Sequence, residues 1–457
     1  MLTNLLAWID ERFPLTKVWN EHLAEYYTPK NFNFWYFFGS LAMLVLVIQI
    51  LSGLFLAMHY KPDTGLAFAS VEYIMRDVEW GWLIRYMHST GSSAFFIVVY
   101  LHMFRGLLYG SYRGPRELIW LIGMVIFVAL MATAFLGYLL PWGNMSYWGA
   151  QVIISLFDAI PFVGPSLAEW LRGDFVVSDA TLNRFFALHF FIPVIILPAL
   201  VFVHIVALHK VGSSNPDGIE IKKKKGPDGK PLDGIPFHPY FTVKDIAGVA
   251  VFLMFFSAVL FFAPELGGWF LEPDNFVPAN ILQTPTEIVP LWYFTPFYSI
   301  LRAVTTDMMR FGLLPFMAVV GGLAIYSVRD MMMRAVVAGA TAAILLGLFM
   351  MEAKIWGVIM MGLSIVLFFL LPWLDRSPVK SIRYRGWMYK TALTLFSVSF
   401  VILGYLGTKS PEAISLFLMK NVYWVQIFTI VYFAFFLFMP WYTTLDKTKP
   451  VPERVTP

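Results

Sequence analysis

The chain of 457 residues contains no cysteine, and only 14% of its residues are charged. Without thiols it cannot form disulfides, hold an iron–sulfur cluster or attach a group through a thioether bond. Its hydrophobic content of 59% exceeds what an ordinary soluble domain buries. These features exclude a secreted disulfide scaffold and predict an all-α polytopic membrane protein.

Ten segments with few or no charges are long enough to cross a bilayer. These predicted spans are 35–57, 83–108, 118–139, 183–209, 245–263, 311–328, 335–352, 355–374, 388–407 and 421–441. An even number of spans places both termini on the same side of the membrane. Because no short signal-peptide pattern precedes the first span, we expect that span to direct insertion.

The distribution of charge predicts which side is inside. The loops on the side of the termini are rich in lysine and arginine, whereas the opposite loops are more acidic, so the positive-inside rule places both termini in the cytoplasm. The lysine run at 222–225 lies in an inner loop. We interpret it as a topology signal and not as a nucleic-acid or anionic-lipid patch.

Two of the spans carry a histidine near each end. His88 and His102 are 14 residues apart, roughly 21 Å along a helix that rises about 1.5 Å per residue. His189 and His204 are 15 residues apart. One span separates the two helices, so they run in the same direction, and His88 can lie level with His189 and His102 with His204. Ionisable side chains inside a membrane are costly and usually mark function.

Two histidine pairs, one above the other, suit two six-coordinate haem irons, because the porphyrin supplies the other four ligands. A zinc site would be expected to add cysteine or carboxylate ligands, which do not accompany these histidines. Without cysteine, any haem must be held non-covalently. For either pair alone, a proton relay or simple packing is the alternative.

Glycines repeat the same interval on the first and third spans. Gly39 and Gly53 are 14 residues apart in the first span, and Gly123 and Gly137 are 14 apart in the third. Glycine has no Cβ and allows a flat macrocycle to approach the backbone closely. Ordinary close packing of helices is the alternative explanation.

Arginines flank the histidines of the second span. Arg85 precedes His88 by one turn, and Arg105 follows His102 by one turn. Each could pair with a haem propionate, or could instead extend to the membrane interface as an anchor.

Two outer loops are rich in aromatic residues, glycine and proline. The first contains Leu140-Pro-Trp-Gly-Asn-Met-Ser-Tyr-Trp-Gly149, which suits either an interfacial aromatic belt or the lining of a flat apolar pocket for a quinone ring. The second runs from Thr284 to Tyr298. It contains Glu287, which could be a proton acceptor or a solvated carboxylate.

At this point the chain resembles the cytochrome b family, the di-haem membrane subunit of the quinol:cytochrome c reductase (cytochrome bc) complex. The resemblance is nearly continuous over residues 30–305 and weaker over 355–445. It is carried by Phe38-Gly-Ser, Gly53-Leu-Phe-Leu-Ala-Met-His-Tyr60, Arg85-Tyr-Met-His88, Ala132-Thr-Ala-Phe-Leu-Gly-Tyr138, Pro141-Trp-Gly, Trp148-Gly-Ala, Arg184-Phe-Phe-Ala, Phe237-His-Pro-Tyr240 and Lys244-Asp245.

The resemblance implies the roles of the site residues. His88 and His189 would ligate a low-potential haem near the outer face, and His102 and His204 a high-potential haem near the inner face. The residues implied for quinol oxidation at an outer pocket are Phe135, Tyr138, Gly143, Gly149, Pro290, Tyr293 and Tyr298. Those implied for quinone reduction at an inner pocket are His209, Ser213, Lys244 and Asp245.

It also implies partners and a location. One electron from quinol would pass to a Rieske-type iron–sulfur protein and a c-type cytochrome subunit, and the other would cross the two haems to an inner quinone. Protons would leave outside and be taken up inside. We expect a homodimeric complex in a bacterial plasma membrane, with no nucleic-acid partner.

The chain departs from the family pattern in the motif Pro-Glu-Trp-Tyr. Here the motif reads Pro290-Leu-Trp-Tyr293, so the usual proton-accepting glutamate is absent. Glu287 is the predicted substitute.

The interval of 15 residues between His189 and His204 is a second departure, and it resembles the photosynthetic branch of the family. On an ideal helix the two side chains would differ by about 60° in direction. A kink near Pro193 or Pro198 is therefore predicted to restore their alignment.

A third departure is residues 306–354, which have no counterpart in the usual eight-helix pattern. The predicted organisation is an N-terminal inside-face amphipathic segment at 1–34, a di-haem four-helix bundle at 35–210, an inside loop at 211–244, a fifth helix and outer loop of the quinol-oxidation site at 245–305, an inserted helical hairpin at 306–354, and a C-terminal three-helix region with a tail at 355–457.

Two other functions remain open at this level. A di-haem anchor subunit of a different oxidoreductase, such as a hydrogenase or formate dehydrogenase, would have fewer helices and lack these paired glycines and outer loops. A haem-free transporter with a histidine proton relay would be expected to show an inverted repeat and broken helices, and we see no repeat.

Overall fold

The computed structural model describes residues 2–416 and 418–456, and most of them are helical. Two short strands pair on the inner side, β1 (Tyr27–Pro29) and β2 (Gly234–Pro236). The α-helices of the described part are α1 (Leu2–Asp10), α2 (Leu15–Trp19), α3 (Phe37–Ala57), α4 (Ala67–Arg76), α5 (Gly81–Tyr109), α6 (Glu117–Leu139), α7 (Asn144–Phe157), α8 (Gly164–Arg172), α9 (Asp179–Phe191), α10 (Leu197–Val211), α11 (Tyr240–Phe262), α12 (Thr295–Ala303), α13 (Leu314–Ser327), α14 (Met331–Met350), α15 (Ala353–Leu374), α16 (Trp387–Gly407), α17 (Asn421–Leu437) and α18 (Met439–Leu445).

The all-α membrane fold predicted from the sequence is confirmed. Within the described residues, nine helical stretches are long and apolar enough to cross a membrane, and a bent pair forms a tenth. The nine are Phe34–Ala57, Gly81–Tyr109, Glu117–Leu139, Asp179–Val211, Tyr240–Phe262, Met308–Ser327, Met331–Met350, Ala353–Leu374 and Trp387–Gly407.

The last predicted span, 421–441, corresponds to a bent pair of helices. Helix α17 ends at Leu437, and α18 continues from Met439 at an angle of 62°. Pro440 explains the break, because proline has no N–H to donate and its ring clashes with the preceding turn. The direction of the chain therefore changes before the predicted end of the span.

Four spans form the bundle that positions the histidines. Helix α3 packs along α5, and α6 packs against α9 and α10. Residues from all four spans line two cavities between these pairs. Helix α11 lies against α3 and α5, whereas α12 packs with α15, α16 and α17 in the C-terminal part.

The predicted irregularity in the fourth span is a π-helical turn at Ile192–Ile196, which joins α9 to α10 and contains Pro193. A π turn accommodates an extra residue within a helix. It therefore compensates for the longer interval, and His189 and His204 both face the α5 histidines.

The chain termini and the loop 211–244 meet on one face. Strand β1 pairs antiparallel with β2 of that loop. Asp233 in the loop binds Lys30 at 3.2 Å and Arg454 at 2.8 Å. Hydrogen bonds from Arg454 and Lys30 lower the pKa of Asp233 to about 2, so the carboxylate stays charged at neutral pH. The two ends of the chain thus lie on the same side, as an even number of spans requires.

A buried ion pair lies within the loop between α15 and α16, and Tyr112, which follows α5, contacts it. Asp375 and Arg385 are 2.5 Å apart, and neither side chain is exposed to solvent. Tyr112 donates a hydrogen bond of 2.7 Å to Asp375, and the Arg385 guanidinium lies 3.8 Å from the centre of the Tyr389 ring. Arg113 lies farther from Asp375, at 3.9 Å, so Arg385 is the main counter-charge of this carboxylate.

We predict that Arg385→Met destabilises the protein by about 3–5 kcal/mol, because it leaves Asp375 buried without its main counter-charge. Thermal unfolding of the detergent-solubilised protein measures the effect. Arg376→Met is the matched control, since Arg376 is exposed one residue from Asp375. Equal unfolding temperatures for the two variants would contradict the prediction.

Candidate functional site

The outer histidine pair has the geometry of two ligands on one metal. The ring centres of His88 and His189 are 6.1 Å apart, and the rings are inclined at 82°. Two imidazole nitrogens, each about 2 Å from a single metal atom, leave the ring centres roughly 6 Å apart. This separation fits two imidazoles that would hold one metal atom between them.

Hydrogen bonds determine which ring nitrogen of each outer histidine remains available to bind a metal. Nδ1 of His189 donates to the Thr133 carbonyl oxygen at 2.8 Å. Nδ1 of His88 lies 3.0 Å from the Ser52 hydroxyl, whose own proton goes to the Ile48 carbonyl at 2.7 Å, so Ser52 accepts from His88. With Nδ1 protonated, Nε2 of each ring is left as a neutral metal ligand.

The two rings of the inner histidine pair have a similar separation. His102 and His204 have ring centres 6.5 Å apart and are inclined at 64°. Nδ1 of His102 is buried and makes no hydrogen bond within the described part of the chain. The described residues hold no cluster of three or more His, Asp or Glu side chains suited to a metal ion. A metal held by either histidine pair would therefore need further ligands, such as the four nitrogens of a porphyrin.

Each of the four predicted glycines faces one histidine ring. A Cβ at Gly53 would lie 3.0 Å from His88, and one at Gly137 would collide with His189. In the inner half, a Cβ at Gly39 would lie 3.4 Å from His102, and one at Gly123 would lie 3.3 Å from His204. The repeated interval therefore makes room for the imidazoles themselves, in addition to any macrocycle they hold.

The two predicted arginines each line one of the histidine cavities, where their positive charge is available to an anionic group. Arg85 lines the cavity around the outer pair, and Arg105 lines the cavity around the inner pair. Neither forms an ion pair with an acidic side chain of the described residues. Arg105 donates to Ser214 at 3.3 Å, but its buried Nε has no partner there. A haem propionate fits this unmet positive charge, so the residues fit a haem in each cavity.

The outer cavity, of about 210 Å³, also contains part of the altered motif. Leu291 and Tyr293 line it together with Tyr138. The Tyr293 ring stacks on Phe96 with centres 4.0 Å apart, and its carbonyl accepts a hydrogen bond of 2.5 Å from Tyr100. These contacts fix the motif against α5, close to the outer histidines.

The other residues predicted for the outer pocket are more dispersed. A Cβ at Gly149 would lie 3.4 Å from the Tyr138 ring, and Gly143 lies against Asn275. Pro290 directly precedes Leu291. The lining of the cavity includes neither Phe135, which packs on Phe185, nor Tyr298, which donates to the Ile288 carbonyl at 3.1 Å.

Two glutamates differ in their relation to this cavity. Glu287 is exposed and does not line it. Glu272 is partly buried, and its carboxylate accepts a hydrogen bond of 3.0 Å from Tyr138. Burial raises the pKa of Glu272 to about 7. Sequence reasoning missed Glu272, because its loop has no periodic pattern that indicates contact with a distant helix.

The inner cavity, of about 560 Å³, contains three of the four predicted inner residues. His209, Ser213 and Asp245 line it, and Ser40 donates to Asp245 at 3.3 Å. Lys244 does not line it, and its ammonium lies 4.4 Å from the centre of the Tyr240 ring.

The N-terminal segment contributes residues to the inner cavity that the sequence did not indicate. Tyr26 stacks on His209 with ring centres 4.3 Å apart, and Nδ1 of His22 lies 2.9 Å from Nδ1 of His209. His22 and Tyr26 both line the cavity. They reach it because β1 fixes the segment to the loop 211–244.

Residues 23–212 match the protein-family model described as Cytochrome b/b6/petB, and residues 278–433 match the one described as Cytochrome b(C-terminal)/b6/petD. The chain belongs to the cytochrome b family. A cytochrome b of Allochromatium vinosum is 58% identical over 460 aligned residues, which cover 99% of each chain. A cytochrome b of Rickettsia bellii is 44% identical, with 99% of this chain and 96% of that protein covered.

A solved structure described as a hyperthermophilic respiratory Complex III superposes on this cytochrome b with a TM-score of 0.79. The two chains are 35% identical, and the match covers 96% of this chain and 99% of the other. Membership of the family implies haem binding and a role in respiratory electron transport in a membrane. The anchor-subunit and transporter hypotheses are therefore set aside.

We predict that Gly137→Ala removes the outer haem and leaves the inner one, because the added Cβ would collide with the His189 ring. The haem-to-protein ratio and the reduced-minus-oxidised optical spectrum measure this loss. Gly362→Ala is the matched control, since a Cβ at Gly362 meets nothing within 4 Å. Full haem content in Gly137→Ala would contradict the prediction that this glycine is needed to seat the His189 ring.

Proposed function

We propose that this cytochrome b is the di-haem subunit of a quinol:cytochrome c oxidoreductase and that it holds two non-covalent b-type haems. The main support is the pair of histidine sites on the same four spans. His88 and His189 would hold the outer, low-potential haem, and His102 and His204 the inner, high-potential haem. When bound, the haems would supply a path for single electrons between the two faces of the membrane.

We infer that quinol binds at the part of the outer cavity lined by Tyr138, Leu291 and Tyr293, beside the proposed haem, and that the aromatic residues there position its ring. Tyr138 and Tyr293 line the cavity beside the outer histidines, and their hydroxyl groups are suited to hydrogen bonds with a quinol oxygen. The roles of Tyr298 and Glu287 in quinol oxidation stay predictions, as do those of Phe135, Gly143, Gly149 and Pro290.

The part of the inner cavity lined by His209, Ser213 and Asp245 is the proposed site of quinone reduction, beside the proposed inner haem. His209 and Asp245 line it and are able to deliver protons to a quinone oxygen. Ser213 would add a hydrogen bond from its hydroxyl. The exposed edge of His22, in contact with His209, offers a connection to water on the inner side, whereas the role of Lys244 stays a prediction.

The proposed assembly follows from the reaction. Electrons that leave quinol at the outer face need a one-electron acceptor there, which we propose to be a Rieske-type iron–sulfur protein followed by a c-type cytochrome. We propose a homodimeric complex in a bacterial plasma membrane with both termini in the cytoplasm. No nucleic-acid partner is proposed, since Lys222 in the lysine run is bound to the His209 carbonyl at 2.8 Å.

We predict that His204→Leu removes only the higher-potential haem and abolishes electron transfer from quinol to the inner face, because one axial ligand is lost. Redox-titrated optical spectra and quinol:cytochrome c reductase activity of the purified complex measure the two effects. His59→Leu serves as the matched control, since His59 is exposed and lines neither cavity. Two haems in His204→Leu would overturn the assignment.

A further inference from the structure

We propose that Tyr138 and Glu272 form the proton relay of the outer cavity and replace the glutamate that the motif lacks at Leu291. Tyr138 would receive the proton from quinol, and Glu272 would accept it in turn. The inference rests on the proposed function, because quinol is the proton donor.

The geometry of the pair supports a relay. Tyr138 lies in the last turn of α6 and lines the cavity, whereas Glu272 does not line it. The Tyr138 hydroxyl donates to Oε2 of Glu272 at 3.0 Å. A proton that leaves the cavity along this path must therefore pass through Tyr138 before it reaches the carboxylate.

The position of both partners is fixed by the surrounding loops. Gly149 in α7 packs against the Tyr138 ring. Glu272 directly precedes the short 3₁₀ helix Pro273–Phe276, in which Asn275 accepts a hydrogen bond of 2.9 Å from the Ser146 backbone. The same Asn275 lines the cavity. The loop that carries Glu272 is therefore held against both the end of α6 and the start of α7.

The charge environment suits a proton acceptor. The titratable groups that face Glu272 are Tyr138 from α6, Tyr293 from the motif and Asp274 from its own loop. None of these is a cation, and no ion pair within the described residues includes Glu272. Burial, assisted by Asp274, raises the pKa of the Glu272 carboxyl to about 7. A base with a pKa near the working pH is the most effective at general base catalysis.

The proposed step conserves protons and electrons. An O–H bond of quinol breaks as its proton binds the Tyr138 oxygen, and the Tyr138 O–H bond breaks as its proton binds the Glu272 carboxylate. Glu272 then releases this proton to water at its exposed edge. The other quinol proton would leave with the electron passed to the proposed iron–sulfur protein, and the b haems, when bound, would supply the acceptor for the second electron.

We predict that Glu272→Gln lowers quinol oxidation by the intact complex at least tenfold at neutral pH, as loss of a general base does. Wild-type turnover is expected to rise through about pH 7, because Glu272 accepts a proton only when it is ionised. Glu272→Gln and Tyr138→Phe should both lose this rise. Glu169→Gln, an exposed change on the outer helix α8, is the matched control and should keep it.

Infrared difference spectra give a readout that does not depend on turnover. A protonated carboxyl band that titrates near pH 7 in the wild type should be absent from Glu272→Gln, in preparations with full haem content. If Glu272→Gln kept the turnover and the pH profile of the wild type, the relay would be overturned. Loss of the pH-dependent rise in Glu287→Gln instead would also overturn it. A wild-type complex that does not oxidise quinol would refute the proposed function, and the infrared titration would still test Glu272.

Discussion

The structure depends on the placement of four imidazole rings inside an apolar helical bundle. A buried polar group without a partner is costly in a membrane, and each ring is accommodated by specific neighbours. Ser52 and Thr133 bind the outer rings through Nδ1, and a glycine on the facing span leaves room for each ring. These hydrogen bonds leave Nε2 of each outer ring without a proton. The four spans must therefore satisfy the packing, the hydrogen bonding and the ligand geometry of these rings at the same time.

The remainder of the chain connects this bundle to the two faces of the membrane. On the outer side, the α6–α7 connection, the Glu272 loop and the motif before α12 converge beside the outer histidines. On the inner side, the N-terminal segment and the loop 211–244 converge beside the inner histidines, where His22 and Tyr26 contact His209. Each histidine pair thus adjoins a cavity with titratable side chains. In the proposed function, this arrangement would couple electron transfer across the membrane to proton exchange at each face.

Much of the bundle could be predicted from the sequence, because spans, histidine intervals and glycine intervals are regular patterns within single helices. The need for an irregular turn near Pro193 was also predicted, since the longer histidine interval requires it. The bend at Pro440 was missed, because hydropathy continues unbroken across it. The contacts of Glu272 and His22 were missed for a different reason. These contacts join residues that are far apart in the chain. They are made by loops, whose sequences have no periodicity that indicates which side chains meet. The exposed position of Glu287 and the orientation of Lys244 likewise depend on loop and helix-end geometry.

The central claim is that this chain holds two haems, one above the other, with different environments. The most direct test is a redox titration of the purified wild-type chain, followed by its optical spectrum, together with the haem-to-protein ratio. The account predicts two b-type haems per chain that titrate at separate potentials. A single haem, or a haem-free protein with intact helices, would contradict it.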